Sequence, residues 1–448
     1  MRPTGENKLK KDIGFTVALS IVVGSVIGSG VFMKPGTVIA YSGDSTMALW
    51  AWFLGGILTL ASGLTIAEIS AQIPKTGGLY VYLEEVYGKF WGYLSGWVQT
   101  IIYGPAIIGA LGLYFGSLVA HLFALDGHWK ISIGIGAVLF LTLINSLGTK
   151  YGGFIQTLFT VGKLIPIALI IIFGIWKGQS PVLDMESGIA GDVNLGAAIL
   201  ATLFAYDGWL LVGSVAGEIK NPDKILPRAI IVGLLMVTVI YLSVNIALLH
   251  VLPADKIVSL GENAAGTAAT LVFGDLGGKL ISIGIIVSIF GTLNAKILSF
   301  PRVPYAMAIR GQLPGSRYLA RIHPTFRTPV IATVSQALLA IVLMIVSNPD
   351  KLTDISVFAI FLFFAQAFFA VFILRKRNAG KTRPYSVPLY PFIPIVALLG
   401  TIFILVSTVI NDPKGTFLCI VITLAGLPIY WWVNRNRKEA TIEQKAAS

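Results

Sequence analysis

Three groups of residues stand where polar chemistry is expensive. Lys163 lies inside the apolar run FIQTLFTVGKLIPIALIIIFGIW, residues 154–176. At 1.5 Å rise per residue it falls ~14 Å along a helix, near the middle of a hydrocarbon core about 30 Å thick. A lysine at that depth costs roughly 2.5–3.5 kcal/mol unless it faces protein or a water-filled cavity. The run ALSIVVGSVIGSGVFMKPG carries Gly24, Gly28 and Gly30 with Ser25 and Ser29 among them, and GAAILATLFAYDGWLLVGSVAGE carries Asp207 followed by Gly208. Each glycine disfavours helix by roughly 0.8–1 kcal/mol. In lipid, unwound backbone is tolerated only where it is buried in protein or lines a cavity. Small-xxx-small spacing at Gly24 and Gly28 also serves close helix packing, but three glycines and two serines in so short a stretch exceed what a packing seam needs.

Such breaks free backbone groups for binding. Near Gly28, Ser29 and Gly30, N–H groups at the start of an outer half-helix make a positive dipole end suited to a carboxylate. Carbonyls around Ile27, Phe204 and Ala205 offer acceptors to an ammonium. An anion hole beside a cation hole describes a zwitterion such as an α-amino acid; other zwitterions and polyamines satisfy the same argument.

The elements that position these groups are membrane helices. Of 448 residues 55% are hydrophobic and 12% charged, against about 25% charged in soluble domains. Apolar runs long enough to span fall near 12–39, 46–71, 88–120, 131–148, 154–176, 195–217, 228–251, 276–306, 328–346, 353–374, 389–410 and 415–433, twelve in all. About two dozen of the 33 Lys and Arg lie at the termini and in the loops after even-numbered spans, while Lys34, Lys130, Lys177, Lys256, Lys351 and Lys414, with Lys279 at a helix end, lie opposite. The positive-inside rule then makes both termini cytoplasmic. The charged start MRPTGENKLKKD leads into an apolar stretch too long for a signal peptide, so the first span is expected to persist. Broken spans five apart match two inverted five-helix repeats with a midplane site. On that reading residues 1–11 are a cytoplasmic tail, 12–176 and 195–374 the two repeats, 389–433 two peripheral helices and 434–448 a second cytoplasmic tail.

Other chemistry is excluded or unsupported. The net charge of +12 is spread over short loops, which points to anionic inner-leaflet lipid and away from nucleic acid. The single Cys419 allows no internal disulfide, and His121, His128, His250 and His323 are isolated, so no metal site is expected. PKTGGLYVYLEE lacks the Lys-Ser/Thr of a phosphate loop and reads as a re-entrant or surface helix sealing the cytoplasmic side. With no nucleotide motif or catalytic constellation, neither an enzyme nor a cofactor is expected. Glu68 and Glu218 read as interfacial, Lys296 as reaching headgroups, and Tyr80, Trp91, Trp97 and Trp176 as interface anchors. Asp207 either caps its break or takes part in substrate or proton handling.

The motifs GSVIGSGVFMKPG, EISAQIPKTGGLYVYLEEVYG, FAYDGW, GEIKNPDKILPRA and FPRVPYAMAIRGQLP resemble the amino acid–polyamine–organocation superfamily, and within it the L-type amino acid transporter branch. The likeness covers nearly all twelve spans and implies an all-helical LeuT-like fold in a bacterial cell membrane. It further implies sodium-independent obligatory exchange of small neutral L-amino acids such as serine, threonine and alanine by alternating access. By position it places the substrate carboxylate on Ser29 and Gly30, with Ile27, Gly28 and the segment Phe204, Ala205, Tyr206 around the amino group and Phe204 as an aromatic gate. It gives Lys163 the place of a coupling sodium ion, tying the first span to the eighth, with Ser288 and Thr292 lining that region. Two features depart from the family. Asp207 stands where many relatives have glycine, and the loop HLFALDGHWK lacks the cysteine that bonds mammalian members to a heavy subunit, so no disulfide-linked partner is expected. The rival reading is a proton-coupled amino acid or polyamine importer in which Asp207 and Lys163 titrate as a pair. A substrate-sensing receptor has little support, because only about 15 residues follow the last span.

Overall fold

The computed structural model describes residues 13–73, 75, 78–147, 162–184, 193–326 and 328–446, with no account of the side chains of 214–218, 434 and 436–446. The expected N-terminal tail, the first turns of the fifth span and part of PKTGG lie outside the described residues. Nine described helices are long and apolar enough to cross a membrane, and the shorter Leu164–Lys177, Leu195–Ala205 and Val330–Val346 complete the expected twelve. Among the described residues there is no strand; the isolated bridge between Ile13 and Ile219 joins the start of the first span to the end of the sixth.

Burial separates the spans. The most apolar stretch of the third span is 78% buried in protein, whereas those of the eleventh and twelfth are 28% and 17% buried. Their outer faces, with Leu399, Phe403, Ile410 and Phe417 exposed, suit lipid, so these two helices are peripheral.

The first span is broken as its glycines require. An α-helix, Phe15–Val26, stops at Ile27, whose ψ of 107° is extended, and helical structure resumes as Gly30–Met33 and Pro35–Ser42. Gly30 has no room for a side chain: an added Cβ would lie 2.4 Å from Ala205 Cα. The sixth span begins at Asn194, whose side chain caps the helix Leu195–Ala205 by accepting from Ala197 N at 3.0 Å. It turns at Gly208, with φ of 115°, and continues as a tightly wound three-ten segment, Trp209–Glu218. The two breaks thus touch, backbone against backbone.

Two spans differ from the expected continuous helices. The third is Lys89–Val98 and Gly104–Leu122 joined by a π-turn, Gln99–Tyr103. Pro105 cannot donate to the carbonyl four residues back, and the widened turn accommodates its ring. The eighth starts earlier than expected, at Ala264, is bent where Gly274 takes φ of 75°, and ends at Ser299, with Arg302–Ile309 a separate helix. The segment Leu79–Tyr87 is a helix with Leu79, Tyr80, Val81, Tyr82 and Leu83 all buried, as a seal requires.

Three expected interfacial residues are instead internal. Glu68 is fully buried and holds Arg375 through both oxygens at 2.8 and 2.6 Å while accepting Val387 N at 2.8 Å. Tyr80 is 1% exposed, donates to Gln312 at 2.5 Å and accepts from Arg310 at 2.9 Å, and Arg310 also pairs with Glu84. Trp97 is buried and donates to Ile422 O at 2.9 Å. Distant segments supply these groups with partners, Arg375 for Glu68, Gln312 and Arg310 for Tyr80 and Ile422 for Trp97, where sequence alone shows only a polar group near a helix end. Trp91 and Trp176 are exposed, as anchors should be.

Candidate transport site at the helix breaks

Where the breaks meet, a cavity of about 20 Å³ is lined by Ser25, Gly28, Ser29, Gly30, Phe204, Ala205, Asp207, Thr292 and Lys296, with Ile107 and Leu111 of the third span. That volume holds about one water, so admitting an amino acid requires the breaks to part. Of the expected binding residues, Ile27 and Tyr206 are not in the lining. Tyr206 turns away, with its hydroxyl 3.2 Å from Trp52 O and its ring 5.0 Å from that of Tyr241.

The backbone here is only partly free. Phe32 and Met33 donate to Ser29 O and Lys34 to Gly30 O, so the N–H groups of Gly30 and Val31 start the outer half-helix without intrahelical acceptors. The carbonyls expected to receive an ammonium are more occupied than foreseen. Tyr241, from the seventh span, places its hydroxyl 2.8 Å from Ala205 O and 2.9 Å from Val26 O, bridging both breaks. Phe204 O accepts from Asp207 N at 3.1 Å, and the Ser25 hydroxyl lies 3.0 Å from Gly208 O. A carbonyl keeps a second lone pair, so a ligand ammonium would share these acceptors. Thr292 packs on Gly28, where an added Cβ would lie 2.7 Å from its Oγ1. Ser288 is fully buried, and its hydroxyl has no hydrogen-bond partner among the described residues.

Lys163 is 1% exposed and donates to Gly24 O in the last turn of the inner half-helix. The last carbonyls of a helix carry its negative dipole end, and the ammonium is placed against it. The contact found is to the first span, and the expected tie onward to the eighth is not among the described hydrogen bonds.

Asp207 is not paired with Lys163. Its carboxylate accepts from Lys296 Nζ at 2.8 Å and from the Tyr103 hydroxyl at 2.5 Å. Lys296 is 3% exposed and sits 5.4 Å from the Phe300 ring centre, so it does not reach headgroups. Just inside this group a vestibule of about 130 Å³ is lined by Tyr103, Gly208, Tyr80 and Phe300.

On the other side, Lys34, counted from the sequence on the face with few basic residues near the end of the first span, is fully buried. It donates to Asp350 at 2.6 Å and to Thr353 at 2.8 Å, and its ammonium lies 5.5 Å from the Phe204 ring centre. Tyr114 donates to Asp350 at 3.2 Å, and its ring is 6.3 Å from that of Phe204. Phe204 is thus capped by a cation and an aromatic ring. Sequence reasoning missed Lys34, Tyr103 and Tyr241. Lys34 stands one turn past Gly30, a spacing that signals the break, and Tyr241 is a hydroxyl inside an apolar span, which must find a partner when buried.

Comparison with known proteins accords with this geometry. A family model described as amino acid permease matches residues 13–432. The serine/threonine exchanger SteT of Bacillus subtilis is 64% identical over 97% of this chain and 99% of its own length. The b(0,+)-type amino acid transporter 1 of Mus musculus is 30% identical over 94% of this chain and 88% of its own. The cystine/glutamate transporter of Homo sapiens is 30% identical over 96% and 87%. With broken first and sixth spans meeting at one site and a match over nearly its whole length, the chain belongs to the amino acid permease family, in the L-type branch of the amino acid–polyamine–organocation superfamily.

Proposed function

We propose that this chain exchanges small neutral L-amino acids, serine and threonine first among them, across a bacterial cell membrane without sodium. The carrying observation is the paired break: Gly28, Ser29 and Gly30 of the first span and Phe204 and Ala205 of the sixth line one buried cleft. In this reading the substrate carboxylate takes the N–H groups from Gly28 to Gly30 and its ammonium shares the carbonyls of Ile27 and of Phe204 to Tyr206. Phe204 closes over the substrate from outside. Lys163, on Gly24 O, supplies the fixed charge that sodium provides in coupled relatives, and Ser288 and Thr292 complete the wall of the eighth span. Residues 12–176 and 195–374 rock as two repeats about this site. Loop charge puts both termini in the cytoplasm, and the chain works without a disulfide-linked heavy subunit, its one cysteine being buried in the twelfth span.

The proton-coupled rival relied on an Asp207–Lys163 pair. Asp207 instead holds Lys296 and Tyr103, so that pair is not formed. The test is radiolabelled L-serine uptake into sodium-free proteoliposomes at equal pH, with the lumen empty or filled with unlabelled L-serine. Uptake confined to filled vesicles supports exchange; equal uptake into empty vesicles refutes it. Co-purification of a stoichiometric single-span partner would overturn the single-chain reading.

A further inference from the structure

A second cavity, of about 300 Å³, lies on the side of Lys34, between the end of the third span at Leu118 and His121 and the hairpin that Gly274 makes at the start of the eighth. Its volume is at the lower end for ligand pockets. The hairpin arms are held close by glycine. A Cβ on Gly266 would lie 2.8 Å from Ser282 Oγ, and one on Gly278 2.1 Å from Thr270 Oγ1, so both hydroxyls occupy space that only glycine leaves.

The polar lining is divided by charge. At one end stand Glu262 and Asn263, whose buried Oδ1 has no hydrogen-bond partner among the described residues. At the other, beside the bend, stands Lys279. Gly266 meets Ser282 and Gly278 meets Thr270 across the hairpin, so Glu262 lies about level with Ile286, seven residues or roughly 10 Å along the arm from Lys279, a gap that the side chains narrow. Acceptors at one end and a cation at the other match a molecule with an ammonium and an anionic group. The cavity also adjoins the closure over Phe204. Leu118 follows Tyr114 by one turn, Tyr114 bonds Asp350, and Glu262 lies within the field of Lys34 and Asp350.

We propose that this cavity is an outer loading site for a free α-amino acid, with its ammonium at Glu262 and Asn263 and its carboxylate at Lys279, ahead of the Lys34–Asp350 closure. The proposal rests on the reading of the chain as a neutral amino acid exchanger. The site acts only on substrate arriving from this side, so its loss has a sided signature.

The experiment uses the full chain in proteoliposomes of uniform orientation, with half-saturation for L-serine measured separately from each face. Glu262→Gln and Lys279→Gln are each expected to raise the half-saturation on the outer face about tenfold, the worth of one charged hydrogen bond, leaving the inner value and the maximal rate unchanged. Purified wild type is expected to bind twice as much L-serine per chain as Glu262→Gln. Equal changes on both faces, no change on either, or equal binding stoichiometry would overturn the proposal while leaving the exchanger reading intact. If wild type exchanges no serine, the exchanger reading fails instead. An effect of Glu262→Gln that vanishes in vesicles without phosphatidylethanolamine would identify the occupant as a lipid headgroup and overturn the amino acid assignment.

Discussion

The site is closed on its two sides by ion pairs of different kinds. On the side that loop charge would make the outer one, Lys34 is fully buried but its partner Asp350 is 48% exposed; on the opposite, inner side Lys296 and Asp207 are 3% and 14% exposed. A carboxylate that keeps its water loses little when its cation leaves, whereas a buried charge stripped of its partner has nothing to replace it. Parting the Lys34 closure therefore leaves one buried charge in need of a substitute, with Thr353 still 2.8 Å away, whereas parting the Asp207 closure leaves two. The inner one opens only if Tyr103, Phe300 and groups lining the vestibule supply substitutes. Closure at the two faces is set by how much solvent each carboxylate retains.

Asp207→Asn should break this comparison most severely. It leaves Lys296 buried and unpaired, at a cost of about 3–5 kcal/mol, visible as a large drop in thermal stability. The double variant Asp207→Asn, Lys296→Met should recover most of that loss; no recovery would mean the pair is not what the inner side depends on. Next in size is Gly30→Val, which places side-chain atoms against the Ala205 backbone. Overpacking worth roughly 3 kcal/mol predicts at least about 100-fold slower serine exchange, and a rate near wild type would show that the breaks do not press together. Tyr241→Phe removes the hydroxyl that bridges Val26 O and Ala205 O. The expected cost is about 1–3 kcal/mol in stability, with the breaks less well registered and exchange slower. The smallest effect belongs to the outer side. Lys34→Met keeps the length of the side chain and leaves Asp350 to water, so stability should change by less than about 1 kcal/mol. A loss as large as that of Asp207→Asn would erase the distinction between the two closures.

Much of this was legible from residue types. Gly24, Gly28 and Gly30 with Ser25 and Ser29, and Asp207 with Gly208, announced both breaks because backbone freedom and membrane burial conflict there. Lys163 announced a protein interior because lipid would not accept it. What could not be read were pairings between distant spans. Lys34 looks like a lysine at the end of a span until Asp350, 316 residues away, is seen beside it, and Lys296 looks like a headgroup contact until Asp207 is. The same limit hid the π-turn that carries Tyr103. Pro105 marks a disturbed helix, but its form depends on what packs around it.

The central claim is that a fixed ammonium stands where coupled relatives use an ion, and Lys163→Ala tests it most directly. Sodium-free exchange of L-serine should be lost in filled proteoliposomes while the variant still inserts and purifies as a folded protein. Near-normal exchange by Lys163→Ala would contradict the account.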